Sequence, residues 1–229
     1  MKLDYDWPKA HHQIASAGYT RLEGMLSKSE CSELRSLYPE DRYRSTINMQ
    51  RYRFGKGEYK YFSYPLPPII QQLRTEVYEQ LVPLANEWMQ HLGIAVVYPP
   101  HHADFIARCH EQNQLRPTPL ILKYGQGGYN TLHQDLYGDI YFPFQLVLSL
   151  SQHGSDYHGG ELVLTEQVPR AQSKATVLVP NQGDGVIITT NFRPAKGQRG
   201  YYRASIKHGV SEVVSGERFV LGVIFHDAV

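Results

Sequence analysis

From residue 117 onward the chain breaks into short β-rich runs: PLILKYG, FQLVLSLS, GELVLTEQ, ATVLVP, GVIITT, RASIKHGVSEVV and ERFVLGVIFH. The residues between them are largely Gly, Pro, Asn and Asp. Branched and aromatic side chains suit a pleated, half-buried surface, and the punctuating residues suit turns. Many short strands at such spacing restrict the fold to a sandwich, a barrel or a jelly roll. The first half reads differently. LSKSECSELRSLYP opens on Ser27 and Glu30, a capping-box pair, and stops at Pro39. Residues 67–93 carry Ile70, Leu73, Val77, Leu81, Leu84, Trp88 and Leu92 at helical spacing. Pro83 should kink or divide that helix, and Gly93 should stop it. HHADFIARCHEQN predicts a further helix with Phe105, Ile106 and Cys109 on its inner side. The expectation is an α+β protein, one domain over 1–229. A mainly helical support region (1–115) precedes a β core (116–229).

A chain of 229 residues with 41% hydrophobic content can bury a sizeable core. Its net charge of +1 provides no whole-protein field to drive it onto nucleic acid, so any such binding needs a local patch. The N-terminal MKLDYDWPKAHHQ lacks the apolar stretch of a secretory signal, and no apolar run is long enough to span a bilayer. Cys31 and Cys109 form no disulfide framework. Together these features predict a cytoplasmic protein without a membrane partner.

The chemistry concentrates in TLHQDLYGD, residues 131–139. On a strand, His133 and Asp135 would share a face and aim a ring nitrogen and a carboxylate at one point. Among the eleven histidines, His208 is the candidate third member, because it lies inside the strand-like run ASIKHGVSEVV. Two histidines and a carboxylate on one face of a metal leave open positions for a bidentate co-substrate and O2, as at non-haem Fe(II) sites. Arg218, ten residues beyond His208, supplies a planar guanidinium suited to a carboxylate.

These residues in this order resemble the signature of the Fe(II)/2-oxoglutarate-dependent dioxygenases. YGQGGYNTLHQD is similar to the segment before the H-x-D of prolyl-hydroxylase-like members, and GGEL at 159–162 fits the same superfamily. RGYYRASIKHGVSEVVSGERFVLGVIFHDA resembles a prokaryotic family described as oxygenases acting on damaged DNA, AlkB-like in activity. The resemblance implies a double-stranded β-helix, or jelly roll. It implies iron held by His133, Asp135 and His208, with 2-oxoglutarate and O2 as co-substrates. It also implies Arg218 on the distal carboxylate of 2-oxoglutarate, and Tyr124 is a candidate for a second contact to it. Glu161 reads as structural rather than as a general base.

One register question follows. A two-residue hairpin at Ser215-Gly216 would place Arg218 opposite Val213 and turn it away from the face of His208. The chain therefore needs an irregular turn or a bulge, for which Gly209 and Gly216 are candidates. Two basic stretches could meet an anionic substrate. Residues 42–62 interleave Arg42, Arg44, Arg51, Arg53, Lys56 and Lys60 with aromatics. Residues 191–203 carry Arg193, Lys196, Arg199 and Arg203 without an acid and are expected near the mouth of the site. These stretches favour alkylated DNA or RNA as substrate and a role in DNA repair. The prolyl-hydroxylase-like block favours a protein side chain or a small molecule.

Overall fold

A computed structural model describes all 229 residues. The first half holds α1 (Trp7–Ala17), β1 (Tyr19–Leu22), α2 (Lys28–Ser36), β2 (Tyr43–Asn48), β3 (Gly55–Lys56), β4 (Glu58–Phe62), α3 (Pro68–His91) and α4 (His102–Glu111). The second half is nearly all strand: β5 (Leu120–Tyr124), β6 (Tyr129–His133), β7 (Phe144–Ser149), β8 (Tyr157–Gly159), β9 (Leu162–Gln167), β10 (Lys174–Leu178), β11 (Gly185–Thr189), β12 (Phe192–Gly197), β13 (Gly200–Val210), β14 (Val213–Gly216) and β15 (Arg218–Ile224).

All strand pairs are antiparallel and build two main sheets. The larger has the order β1-β11-β7-β15-β5-β4-β2, and the smaller β10-β9-β13-β6-β3. Leu162 and Leu164 of the smaller sheet pack against Val186 and Ile188 of the larger, which closes a jelly roll. The strand runs legible in the sequence all appear. The helical reading of residues 1–115 is incomplete, because β1 to β4 extend both sheets. These strands are short and polar on one side, and local pattern does not separate them from loop.

The larger sheet separates two interiors by strict alternation. On β15, Phe219, Leu221 and Val223 join the core under the helices, whereas Arg218, Val220 and Gly222 line a cavity between the sheets. On β7, Phe144, Leu146 and Leu148 face the helices, and Gln145 and Val147 face the cavity. Period-two geometry thus places Arg218 inside the roll. Trp88 of α3 meets Phe144 edge to face, with ring centroids 4.6 Å apart. Burying side chains of this size contributes roughly 1.5–3 kcal/mol each.

The capping box at Ser27 and Glu30 is formed in both directions, and α2 ends before Pro39. Pro83 does not divide α3, which runs unbroken for 24 residues. The proline sits on the exposed face, where a missing helical hydrogen bond costs least. The Gln80 carbonyl, one residue along, accepts from His11 Nε2 at 2.8 Å. Gly93, at φ +63°, follows the helix end as expected. Cys31 and Cys109 are free and buried. No helix is long and apolar enough to cross a membrane.

Candidate metal centre

His133 is the last residue of β6, and His208 lies directly across from it on β13. Their rings are 4.2 Å apart between centroids. The β13–β6 register shifts between His208 and Val210, so Gly209 marks the irregularity expected there. A Cβ on Gly209 would come within 2.7 Å of the Asn130 carbonyl oxygen, so the close approach of these strands requires glycine.

Asp135 is not on the strand but just beyond its end. Shared strand geometry therefore does not aim it. Its Oδ1 accepts a 2.7 Å hydrogen bond from the Tyr137 hydroxyl, which lies 3.1 Å from the Tyr61 hydroxyl. Oδ1 is 3.5 Å from His133 Nε2, and Oδ2 is 3.2 Å from His208 Nε2. Ligands about 2.1 Å from a metal and at right angles lie about 3 Å apart, so the trio is close to coordination geometry. The three donor atoms all fall within 4.8 Å of one another. His133 Nδ1 donates to the Thr131 carbonyl at 2.7 Å, which leaves Nε2 to face the centre.

The charge states suit a cation. Burial alone would push the Asp135 carboxyl up. The hydrogen bond from His208, both imidazoles and Tyr137 outweigh it and hold the group well below the usual carboxylate range. Burial, reinforced by His208, lowers His133 and favours the neutral imidazole that binds metals.

Arg218 is across the roll, 2% exposed. No hairpin joins it to the strand before. β14 pairs with β8, whereas β15 pairs with β5 and β7, so the chain changes sheet through Gly216 at φ +81° and Glu217. The expected irregularity is thus a crossing between layers, and Arg218 and His208 face each other from opposite sheets. Arg218 is the register partner of Tyr124. Its guanidinium lies 5.5 Å from the Tyr124 ring centroid and 5.9 Å from that of Tyr157. It forms no ion pair, and its buried Nε has no partner. A buried guanidinium left in that state is costly, so the arrangement fits an anion that completes it. Burial raises the Tyr124 hydroxyl to about 12, so it stays protonated and able to donate. A cavity of about 230 Å³ contains the three metal-ligating candidates, Arg218 and Tyr124 together, with Leu120, Leu122, Leu162, Val147 and Val220 among its walls.

Other expectations resolve less favourably. Arg193 is taken up by Glu166, with Nε 2.6 Å from Oε2 and Nη2 3.1 Å from Oε1. Arg199 lies in the two-residue turn between β12 and β13, and the first residue of β13 is eight positions before His208. At about 3.3 Å per residue that turn is roughly 26 Å along the strand from the centre. Arg203 is roughly 16 Å away on the same measure and stacks over Phe192 at 4.7 Å. The far end of the 191–203 stretch is therefore carried away from the site by the β12–β13 hairpin, whereas Asn191 at its start accepts from the Gln134 side chain, beside His133 and Asp135, at 2.8 Å. Glu161 is engaged by the Ser211 hydroxyl, in keeping with a structural role. Sequence reasoning did not single out Tyr137 or Gln145, whose carboxamide nitrogen lies 3.2 Å from His208 Nε2. The tyrosine two places after Asp135 was the one available signal.

Comparison with known proteins agrees with this geometry. Residues 57–228 match the Oxygenase-NA family, described as "Oxygenase, catalysing oxidative methylation of damaged DNA". Two uncharacterized proteins of Mycobacterium tuberculosis are 45% identical over 167 residues, covering 73% of this chain and 72% of theirs. The fold is similar to a Pseudomonas putida prolyl-4-hydroxylase (TM-score 0.56, 14% identity, 95% of this chain and 97% of that one). It is also similar to a 2OG-Fe(II) oxygenase family oxidoreductase of Burkholderia pseudomallei (TM-score 0.55, 13% identity, 100% and 95%). The chain belongs to the Oxygenase-NA family: it is an oxygenase built on the jelly-roll fold of the 2OG-Fe(II) oxygenases.

Proposed function

We propose that this oxygenase depends on Fe(II) and 2-oxoglutarate and hydroxylates the methyl carbon of an N-alkylated nucleic-acid base. The observation that carries the co-substrate is Arg218, a buried, unpaired guanidinium in the same cavity as a two-histidine, one-carboxylate donor set. His133, Asp135 and His208 would hold the iron, Arg218 the distal carboxylate of 2-oxoglutarate, and Tyr124 would donate a second hydrogen bond to it. Once bound, iron, 2-oxoglutarate and O2 supply the oxidising power that turns C–H into C–OH, releasing succinate and CO2.

The chain's own residues do the positioning. Tyr137 fixes one carboxylate oxygen of Asp135 and leaves the other toward His208. Tyr124 and Tyr157 flank the guanidinium and keep water from it. The apolar wall keeps the oxidising site dry, which limits side reactions. A hydroxymethyl group on nitrogen is a hemiaminal and releases formaldehyde, so hydroxylation amounts to demethylation. The substrate class rests on the family's description and on basic and aromatic residues beside the cavity. All 229 residues are read as one catalytic unit, working in the cytoplasm, where buried thiols stay reduced.

A protein side-chain or small-molecule hydroxylase is the competing reading. Its sequence support, the Tyr124–Gly128 block, forms the β5–β6 turn, where Gly127 is at φ +73° and a Cβ on Gly128 would come within 2.7 Å of the Gly125 carbonyl oxygen, so turn geometry accounts for two of its three glycines. The test is anaerobic addition of Fe(II) and 2-oxoglutarate, read by the visible charge-transfer absorption. The band is expected in the wild type and absent in His208→Ala. Aerobic succinate and formaldehyde release from methylated single-stranded DNA then decides the substrate. A band that survives His208→Ala would defeat the metal assignment.

A further inference from the structure

We propose that Arg51, Tyr52, Arg53 and Phe54 form the docking platform for a single-stranded nucleic acid, stacking the base next to the one that enters the cavity. This rests on the nucleic-acid reading above and assigns it to particular side chains.

The segment is a one-turn 3-10 helix, Met49–Tyr52, followed by Arg53 in the left-handed region at φ 60°. Tyr52 and Phe54 remain 55% and 45% exposed, although both are large aromatics. Their rings stack on each other, with centroids 5.6 Å apart and planes 18° from parallel. Phe54 is also part of the cavity wall. An exposed aromatic pair at the mouth of a buried site is a surface awaiting a flat partner.

The platform is firmly seated. Met49 beneath it is fully buried, and the Asn48 side chain accepts from the Gln50 N–H at 3.1 Å. The Phe54 carbonyl accepts from the Thr131 N–H and from its hydroxyl, both at 2.9 Å. The Thr131 carbonyl in turn holds His133. A base resting on Phe54 is therefore registered against a metal-ligating candidate through two residues.

Charge selects the occupant. In the basic stretch 42–62, most cations are committed internally. Arg42 bonds Glu40, Arg44 bonds the Pro117 carbonyl, Lys56 the Gln126 carbonyl and Lys60 the Tyr38 carbonyl. Arg51 and Arg53 are exposed and take part in no ion pair or side-chain hydrogen bond. Two free guanidiniums alternating in sequence with two stacked rings match a chain that alternates phosphates with π-faces. A duplex hides those faces in its own stack, so the fit is to single strands.

The test is fluorescence anisotropy of a short fluorescein-labelled single-stranded DNA carrying one N-methylated base, bound to the protein loaded with Fe(II) and 2-oxoglutarate under anaerobic conditions. Phe54→Ala and Tyr52→Ala should each weaken binding by roughly fivefold to a hundredfold. In Arg51→Ala/Arg53→Ala, the slope of log K against log salt should fall by about 0.7 for each phosphate no longer neutralised. Unlabelled single strands should compete better than duplex. The charge-transfer band of each variant shows whether its site still loads. The exposed arginine pair keeps the test decisive should an aromatic variant fail to fold. Wild-type binding that none of these variants alters, or equal competition by duplex, overturns the platform and leaves the nucleic-acid reading standing. A loaded wild type that binds no single-stranded DNA overturns both.

Discussion

Two arginines are buried in this molecule, and their surroundings are opposite. Arg74, on α3, is fully buried and fully partnered. Nε donates to the Ile224 carbonyl at 2.9 Å, Nη1 to the Tyr64 hydroxyl at 2.8 Å and Nη2 to Asp227 at 2.7 Å. Asp227 also accepts from Tyr64 and faces His110 at 2.9 Å. Arg218 is as deeply buried, yet it forms no ion pair, lies beside the rings of Tyr124 and Tyr157, and has an unpartnered Nε. A buried charge with its counter-charge in place ties the helices to the C-terminal segment. A buried charge without one fits the co-substrate carboxylate proposed for it. The difference separates framework from site more sharply than burial or residue type.

The largest expected effect is Arg74→Met, which strands the Asp227 carboxylate in the interior. Loss of about 3–5 kcal/mol of stability is expected, measured by denaturant unfolding. Arg218→Met should do the reverse in the ligand-free protein, leaving stability unchanged or raised. Equal destabilisation by the two substitutions would erase the contrast.

Acid should attack the Arg74 side next. Burial, with Arg74 adding to it, holds His102 and His226 at about 3, against an ordinary 6.5. A folded value below the unfolded one means that stability is complete above about pH 6.5 and drains as pH falls toward 3. Asp227 acts in the same sense lower down. The attraction of Arg74 and its hydrogen bonds outweigh burial and keep it below the usual 3.8, so its contribution fades as pH drops further. A loss on the order of a few kcal/mol is expected by pH 4, followed through the fluorescence of buried Trp88. A flat profile would count against it.

On the site side, Arg218→Met should weaken 2-oxoglutarate binding about a hundredfold, read by calorimetry on the anaerobic Fe(II) protein. Undiminished affinity would take the co-substrate away from Arg218. Tyr137→Phe is the mildest change. Freed from its hydroxyl, Asp135 should bind Fe(II) about tenfold less tightly, as expected when a partner behind a metal ligand is removed. Tyr61→Phe should follow in the same direction with a smaller loss. Metal titration checks both.

Much of this was legible without coordinates. The β runs from residue 117, the capping box at Ser27 and the set His133, Asp135, His208 and Arg218 are carried by local composition and spacing, which strand period and turn chemistry make readable. Asp135 shows the limit: its residue type was evident, but its aim comes from Tyr137 and Tyr61, and Tyr61 lies on a strand that local pattern did not reveal. The basic stretches show it again. Arg193 and Arg51 look alike as letters, yet one is consumed by Glu166 and the other left free.

By itself, then, the sequence determined which chemical groups are available and which segments are strands, because both follow from neighbours a few residues apart. Only the tertiary structure decided that Arg218 confronts His208 from the opposite sheet, that Arg199 lies at the far end of the β12–β13 hairpin while Arg193 is taken by Glu166, and that the free cations and exposed aromatics of residues 51–54 adjoin the cavity. Those facts depend on pairing between strands distant in the chain, where a crossing between layers at Gly216 or a register shift at Gly209 reassigns whole faces at once.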